Sequence, residues 1–313
     1  LAAAGVARAQ PPAKVWRVGL LANGAPPPGA PVPRALRDGL RDLGYVEGRN
    51  VAYVARWAEA KRDRLPGLAA ELLAEKVDAI VLIGGPAALA AKQATSSTPL
   101  VLALVSEAVG IGVIDSLAHP GGNVTGVSDQ AVNLSGKRME LLKEAVPKAS
   151  RIAILWNADD QGMTLIYREV ERAAQALRVV VQPLGVREPN DFDAAFTAMT
   201  ASRPDALFMV TDALTNLNRK RVIEFADVHR IPAMYEYGEL VHDGGLMSYG
   251  ASRDDNFRKA AAYLDRLFKG ARPAALPVER PSRYYLTINL KTARALGLVL
   301  PAALLARADE VVE

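Results

Sequence analysis

The sequence predicts an α/β protein made of two doubly wound parallel-sheet, Rossmann-like lobes joined by three crossing segments. Three observations lead there. The chain has 313 residues, and one hydrophobic core usually stops growing at roughly 250–300. Short apolar runs rich in β-branched residues alternate with longer segments of helical period. The alternation also runs twice, the second half repeating the rhythm of the first as a repeat of architecture rather than of residues.

In the first half, strands are expected at 16–22, 51–57, 77–83, 100–105 and 123–127, with helices at 32–43, 63–75, 86–95 and 109–118. The unbroken run Ala79-Ile-Val-Leu-Ile83 suits a strand covered on both faces, as in a parallel sheet. In the second half, strands are expected at 151–156, 179–184, 205–210, 233–235 and 245–249, with helices at 136–145, 163–177, 191–201 and 213–228. A helix at 254–269, a proline-punctuated stretch at 271–281, a strand at 283–288 and short helices at 290–296 and 302–306 follow. That remainder is too small for a third domain, so the chain is expected to recross the junction and complete both lobes. One lobe is then 14–125 plus 252–283, the other 126–251 plus 284–313, with crossings near 123–128, 248–252 and 281–285.

Composition narrows the function. Half of the residues are hydrophobic and 23% are charged, which is a soluble globular balance. The net charge of +4 comes from 38 basic and 34 acidic residues scattered along the chain. The short basic clusters at 62–64 and 219–221 fall inside predicted helices, so no nucleic-acid partner is expected. Cysteine is absent, which removes disulfides, thiolate nucleophiles and Cys-ligated metal sites together. No apolar stretch reaches 18 residues, so no membrane span is expected. Ala7-Arg8-Ala9 before Gln10 is a small-x-small pattern, and residues 1–13 read as the remnant of a secretory signal peptide and a disordered start. Without a cysteine for a lipid anchor, the expected location is free periplasmic solution.

In open α/β sheets, ligands bind beyond the carboxyl ends of the strands. In the first lobe the residues there are Asn23-Gly24, Gly84-Gly85-Pro86 and Ser106-Glu107. In the second they are Trp156-Asn157 with Asp159-Asp160, Thr211-Asp212 and Tyr235-Glu236-Tyr237. Glycines followed by a helix start favour an anion such as a carboxylate, while Gly-Gly-Pro is also a common turn. Asp212 and Glu236 could neutralise an ammonium, and Trp156, Tyr235 and Tyr237 could enclose an apolar body. The alternatives are core packing for Trp156 and helix capping for the acids. An anion seat facing a cation seat fits a zwitterion.

A catalyst is not apparent. His119, His229 and His242 are far apart, with no pair at metal-ligand spacing, and neither His-Glu-x-x-His, Gly-x-Ser-x-Gly nor a phosphate-binding loop is present. No metal, cofactor or catalytic residue is therefore expected, and the chain reads as a binder rather than an enzyme. A repressor would need a helix-turn-helix before residue 16.

Several stretches resemble the ABC-transporter substrate-binding protein family that includes tryptophan- and tyrosine-type binders, with the type I periplasmic binding fold. They are Arg37-Asp-Gly-Leu-Arg-Asp-Leu-Gly-Tyr-Val-Glu-Gly-Arg-Asn50, Pro120-Gly-Gly-Asn-Val-Thr-Gly126 and Ser135-Gly-Lys-Arg-Met-Glu-Leu-Leu-Lys-Glu144. Further along are Gly244-Gly-Leu-Met-Ser-Tyr-Gly250, Leu276-Pro-Val-Glu-Arg-Pro281, Ile288-Asn-Leu-Lys-Thr-Ala-Arg-Ala-Leu-Gly-Leu298 and Arg307-Ala-Asp-Glu-Val311. The resemblance implies capture of an amino acid, aromatic or not, or a related small carboxylate, and its delivery to the membrane permease of an importer; a monomer that closes about a hinge is expected. Members often carry Gly-Thr where this chain has Gly84-Gly85, and Asp-Pro where it has Glu107-Ala108, so a hydroxyl suited to a carboxylate is missing. The rival readings are a ligand-sensing input domain of a receptor and a small-molecule enzyme using carboxylates.

Overall fold

The computed structural model describes residues 14–129 and 131–313; the segment read as a signal remnant lies outside them. The chain opens with β1 (Trp16–Ala22), α1 (Arg34–Asp42), β2 (Val51–Trp57), α2 (Leu65–Ala74), β3 (Ala79–Ile83), α3 (Gly85–Ala94), β4 (Leu100–Ser106) and β5 (Val124–Asp129). It continues through α4 (Ala131–Ala145), β6 (Arg151–Asn157), α5 (Gln161–Ala176), β7 (Val180–Val186), α6 (Asp191–Ala201) and β8 (Ala206–Met209). Next come α7 (Ala213–Leu217), α8 (Arg219–Val228), β9 (Ala233–Tyr235), α9 (Gly238–His242) and β10 (Met247–Ala251). The last elements are α10 (Arg253–Phe268), β11 (Val278–Glu279), β12 (Tyr284–Asn289), α11 (Leu290–Ala295), α12 (Ala302–Leu305) and β13 (Glu310–Val312).

These strands make two sheets. One is six-stranded and wholly parallel, in the order β11-β5-β4-β3-β1-β2. The other is seven-stranded, in the order β13-β12-β10-β9-β8-β6-β7, and only β12 against β10 is antiparallel. The chain passes between the sheets three times: from β5 to α4, from β10 to α10, and from β11 to β12.

Each sheet is covered on both faces, which is why its strands read as continuous apolar runs. In the first lobe, Leu68, Leu72, Ala87 and Ala91 pack on one face, and Leu36, Leu40, Ala260 and Leu264 on the other. In the second, Met139, Leu142, Ile166 and Val170 cover one face, and Phe192, Met199, Val222 and Leu240 the other. α10 is long-range cover: it follows the second crossing, yet packs on α1, β4 and β5. The helices approach so closely that a Cβ on Gly39 would stand 2.9 Å from the Ala261 methyl.

Three local expectations give way. The helix predicted at 109–118 is a loop of turns, because Gly110 and Gly112 weaken a helix interior and a Pro-Gly-Gly turn closes the segment. The single helix predicted at 213–228 is split into α7 and α8 at Asn218, whose side chain donates to the Leu214 carbonyl at 3.0 Å. α4 begins at Ala131 rather than 136. The short elements α9, β11 and β13 had no sequence signal of their own.

Candidate functional site

Residues beyond the carboxyl ends of strands in the two sheets meet, and the lobes touch there. A Cβ on Gly24 would come within 4.0 Å of Ala213 at the start of α7. One on Gly162, in the first turn of α5, would meet Ile111 at 3.6 Å and the Ser106 carbonyl at 3.8 Å. Leu165 of α5 lies against Gly110, 2.9 Å from the position of its absent Cβ. Arg62 reaches from the first lobe to the Asp159 carbonyl of the second.

On the first lobe, the β1 tip is tied to the β3 tip by Asn23 N–H donating to the Ile83 carbonyl at 3.0 Å. Asn23 is buried, and its Oδ1 accepts no hydrogen bond among the described residues. Gly84 caps α3 at φ +92, a conformation that favours glycine. Gly85 and Pro86 form the first turn of that helix, but Ile111 Cδ1 stands 2.9 Å from where a Gly85 Cβ would be. The second glycine thus makes room for Ile111. Ser106 ends β4, and Glu107 turns away: its Oε1 accepts from Val132 N–H, at the start of α4, at 3.0 Å. Glu107 is therefore a clasp between the lobes.

On the second lobe, Asp160 caps α5 by accepting from Gly162 N–H at 2.9 Å and Met163 N–H at 3.3 Å. Asp212 caps α7 by accepting from Thr215 N–H at 2.9 Å, and its other oxygen accepts from Asn157 Nδ2 at 2.6 Å. Of the two roles weighed in the sequence, helix capping and neutralising an ammonium, the structure shows the cap for both acids. Neither acid closes an ion pair within 4.0 Å among the described residues, and Thr211 Oγ1 beside them is buried without a partner. Glu236, in contrast, is already matched: Arg138 Nη1 lies 3.3 Å from its Oε1, with both side chains almost wholly buried.

Two expected residues point elsewhere. Trp156 stacks on Tyr167 at 3.8 Å between centroids and lies against Gly185, on the α5 side of its sheet. Tyr235 is fully buried in the core on the opposite face, its ring over Gly245. Both residues still lie within strands, whose two faces are each covered by helices, so each packs into a helix layer, one on either face.

Where the lobes join, the sequence predicts Tyr237 as a wall of the site, whereas Asp129, Arg253, Asn256 and Arg138 of α4 are not read from it. Tyr237 O–H donates to Asp129 Oδ2 at 2.6 Å, and the Arg253 guanidinium lies 4.1 Å over the Tyr237 ring. Arg253 and Asn256 occupy the first turn of α10, so the signal available was their position directly after an expected crossing. Arg138 had a signal too, a charge on the apolar face of α4 between Leu134 and Leu142.

The site's acids are held above their ordinary range. Burial pushes Glu236 up to about 7, outweighing the pull of Arg138. Burial also raises Asp160, to about 6, with the Asp212 charge adding to it, and Asp212 itself rises by burial. An acid whose pKa is higher folded than unfolded takes up protons on folding, so its contribution to stability falls as pH rises through that interval. The ligand-free protein is therefore expected to lose unfolding free energy steadily from about pH 4.5 to about pH 7. Urea titrations across that range check it, and a flat or rising profile would contradict these buried carboxyls.

Comparison with known proteins gives a concordant set of likenesses. The sequence profile of the ABC transporter substrate binding protein family matches residues 32–312. A tyrosine-binding protein from Clostridioides difficile (strain R20291) is 27% identical over 260 residues, covering 83% of this chain and 74% of that protein. A crystal structure of an ABC domain from Streptococcus pneumonia in complex with L-Trp superposes with a TM-score of 0.88 at 26% identity, covering 96% of this chain and all of that one (100%). The ligand-free, open structure of a substrate binding protein with adhesive properties from Clostridium difficile superposes at 0.67, with 23% identity over 95% of this chain and 99% of that one. The architecture, two facing sheets with three crossings, is the type I periplasmic binding fold.

Proposed function

Because the chain belongs to the ABC transporter substrate binding protein family, whose members are binders and not enzymes, we propose that it captures an amino acid, aromatic or a related carboxylate, between its lobes and hands it to the permease of an importer. Capture takes place outside the cytoplasm. Solute binds one lobe, the other swings over it about the three crossings, and contacts made only in the closed arrangement shift the population towards it.

One observation supports this reading above the others. Buried polar atoms without partners lie at the strand tips, Asn23 Oδ1 on one lobe and Thr211 Oγ1 on the other, near Asp160 and Asp212, which accept hydrogen bonds but close no ion pair among the described residues. Leaving such groups unmatched costs free energy, and a solute with an ammonium would offset that cost. The ligands named for the Clostridioides and Streptococcus relatives, tyrosine and L-Trp, favour an aromatic side chain.

Native mass spectrometry of freshly purified protein, followed by calorimetric titration with the amino acids, tests the proposal; binding only of a sugar, nucleoside or inorganic ion would end it. Asp160→Asn and Asp212→Asn keep good helix caps while removing charge. Each is expected to weaken an ammonium-bearing ligand by roughly 1–3 kcal/mol, about five- to a hundredfold. Unchanged affinity in both would place the ammonium seat elsewhere.

A further inference from the structure

Resting on that reading, we propose that Arg253 and Asn256, in the first turn of α10 behind the second crossing, receive the ligand's carboxylate. The glycine turn at Gly84-Gly85 is the seat that the sequence suggests, but Ile111 lies on Gly85 and contacts the first turn of α5 across the gap. An anion directed to that turn meets a methyl group.

At the base of the gap the chemistry is the reverse. Among the described residues the Arg253 guanidinium donates no hydrogen bond and closes no ion pair, although its Nε is buried. Asn256 is 1% exposed, and neither its Nδ2 nor its Oδ1 has a partner. Residues three apart on a helix present neighbouring side chains, so an uncommitted guanidinium and an uncommitted amide stand side by side. Both belong to α10, which packs on β4 and β5, and Arg253 faces the second lobe through Tyr237.

Of the acids nearby, Glu236 is committed to an ion pair with Arg138. Asp129 accepts from the Tyr237 hydroxyl with one oxygen and keeps the other, the buried Oδ1, without a partner among the described residues. The guanidinium lies 4.1 Å from the Tyr237 ring centroid and its buried Nε has no partner among the described residues; a guanidinium edge takes a carboxylate through two parallel hydrogen bonds. Asn256 Nδ2 adds a third donor. The substrate class this defines is an α-amino acid, as opposed to the corresponding amine.

The test is calorimetry of the whole protein with L-tyrosine and L-tryptophan against their decarboxylated amines, tyramine and tryptamine, for wild type, Arg253→Gln and Asn256→Leu. The expected result is wild-type preference for the acid, and a fall in the acid-to-amine affinity ratio of roughly 10–100-fold in each variant. Arg253 is partly exposed, so its variant reads the site even if Asn256→Leu does not fold. A ratio within twofold of wild type in Arg253→Gln overturns the assignment while leaving the amino-acid reading intact. Wild-type protein that binds none of the four compounds overturns both.

Discussion

Replacing Gly250 or Gly126 with alanine is expected to cost about 3 kcal/mol or more of unfolding free energy, enough to leave little folded protein. A Cβ on Gly250 would overlap the backbone carbonyl of Glu236 in the neighbouring strand tip, with Arg138 Nη2 3.4 Å away. Relief requires moving the backbone that carries Glu236. Gly126 is worse placed. Its φ is +121, and a Cβ there would overlap the backbone of Leu102, its register partner, where the β4–β5 pairing shifts. Glycine inside a strand often marks such a close approach. These two residues end the stretches Pro120–Gly126 and Gly244–Gly250 that carry the family resemblance, so the backbone clearance accounts for them. Gly136 is the control: it is helical, and a Cβ there meets nothing within 4 Å. Gly136→Ala should stabilise by about 0.4–1 kcal/mol. Urea unfolding of the three variants checks the ordering, and a Gly126→Ala or Gly250→Ala protein as stable as wild type would refute it.

Arg138→Met is expected to cost about 3–5 kcal/mol, because it leaves Glu236 buried without its counter-ion. It also strips donors from the carbonyls of Tyr249, which accepts from Nε at 2.6 Å, and Ala131, which accepts from Nη1 at 3.3 Å. The sign of the pH dependence identifies the cause. Glu236 is already lifted to about 7, and without Arg138 it titrates higher still. At pH 5 it is protonated and tolerable; at pH 8 it must stay ionised or take up a proton against the solution. The destabilisation should therefore be larger at pH 8 than at pH 5. Glu236→Leu leaves a guanidinium that cannot lose its charge but removes the carboxyl whose titration lowers wild-type stability as pH rises. Its cost should therefore be smaller at pH 8 than at pH 5, the opposite sign to Arg138→Met. The double variant should recover most of the loss, since an apolar pair can replace a buried ion pair. A double variant no more stable than either single one would show that the carbonyl contacts, and not the charge pair, dominate.

The site was partly legible. Asp160 and Asp212 could be placed at strand tips because Asp before a helix is a local signal, and the structure finds both capping a helix. Gly84 was legible as a backbone position, and Asn157 and Asn23 followed from the ends of apolar runs. Trp156 and Tyr235 attracted attention by residue type, but both lie within strands covered by helices on either face, and they pack one into each layer. Glu107 and Glu236 were correctly seen as acids near tips, but their partners, the start of α4 and Arg138, come from distant sequence.

By itself the sequence determined the alternation of strands and helices, the doubling into two lobes, the absence of thiol chemistry and the positions of most strand tips. All of these are written in short-range periodicity, composition and turn residues, which one stretch of chain carries alone. The tertiary structure alone decided that α10 returns to cover the first sheet, that Ile111 sits on Gly85, and that Arg253 and Asn256 stand uncommitted at the base of the gap. Tyr237 and Asp129 are 108 positions apart, and Arg138 and Glu236 are 98. Which charges end up paired depends on how two separately built sheets approach each other, and no local pattern encodes that distance.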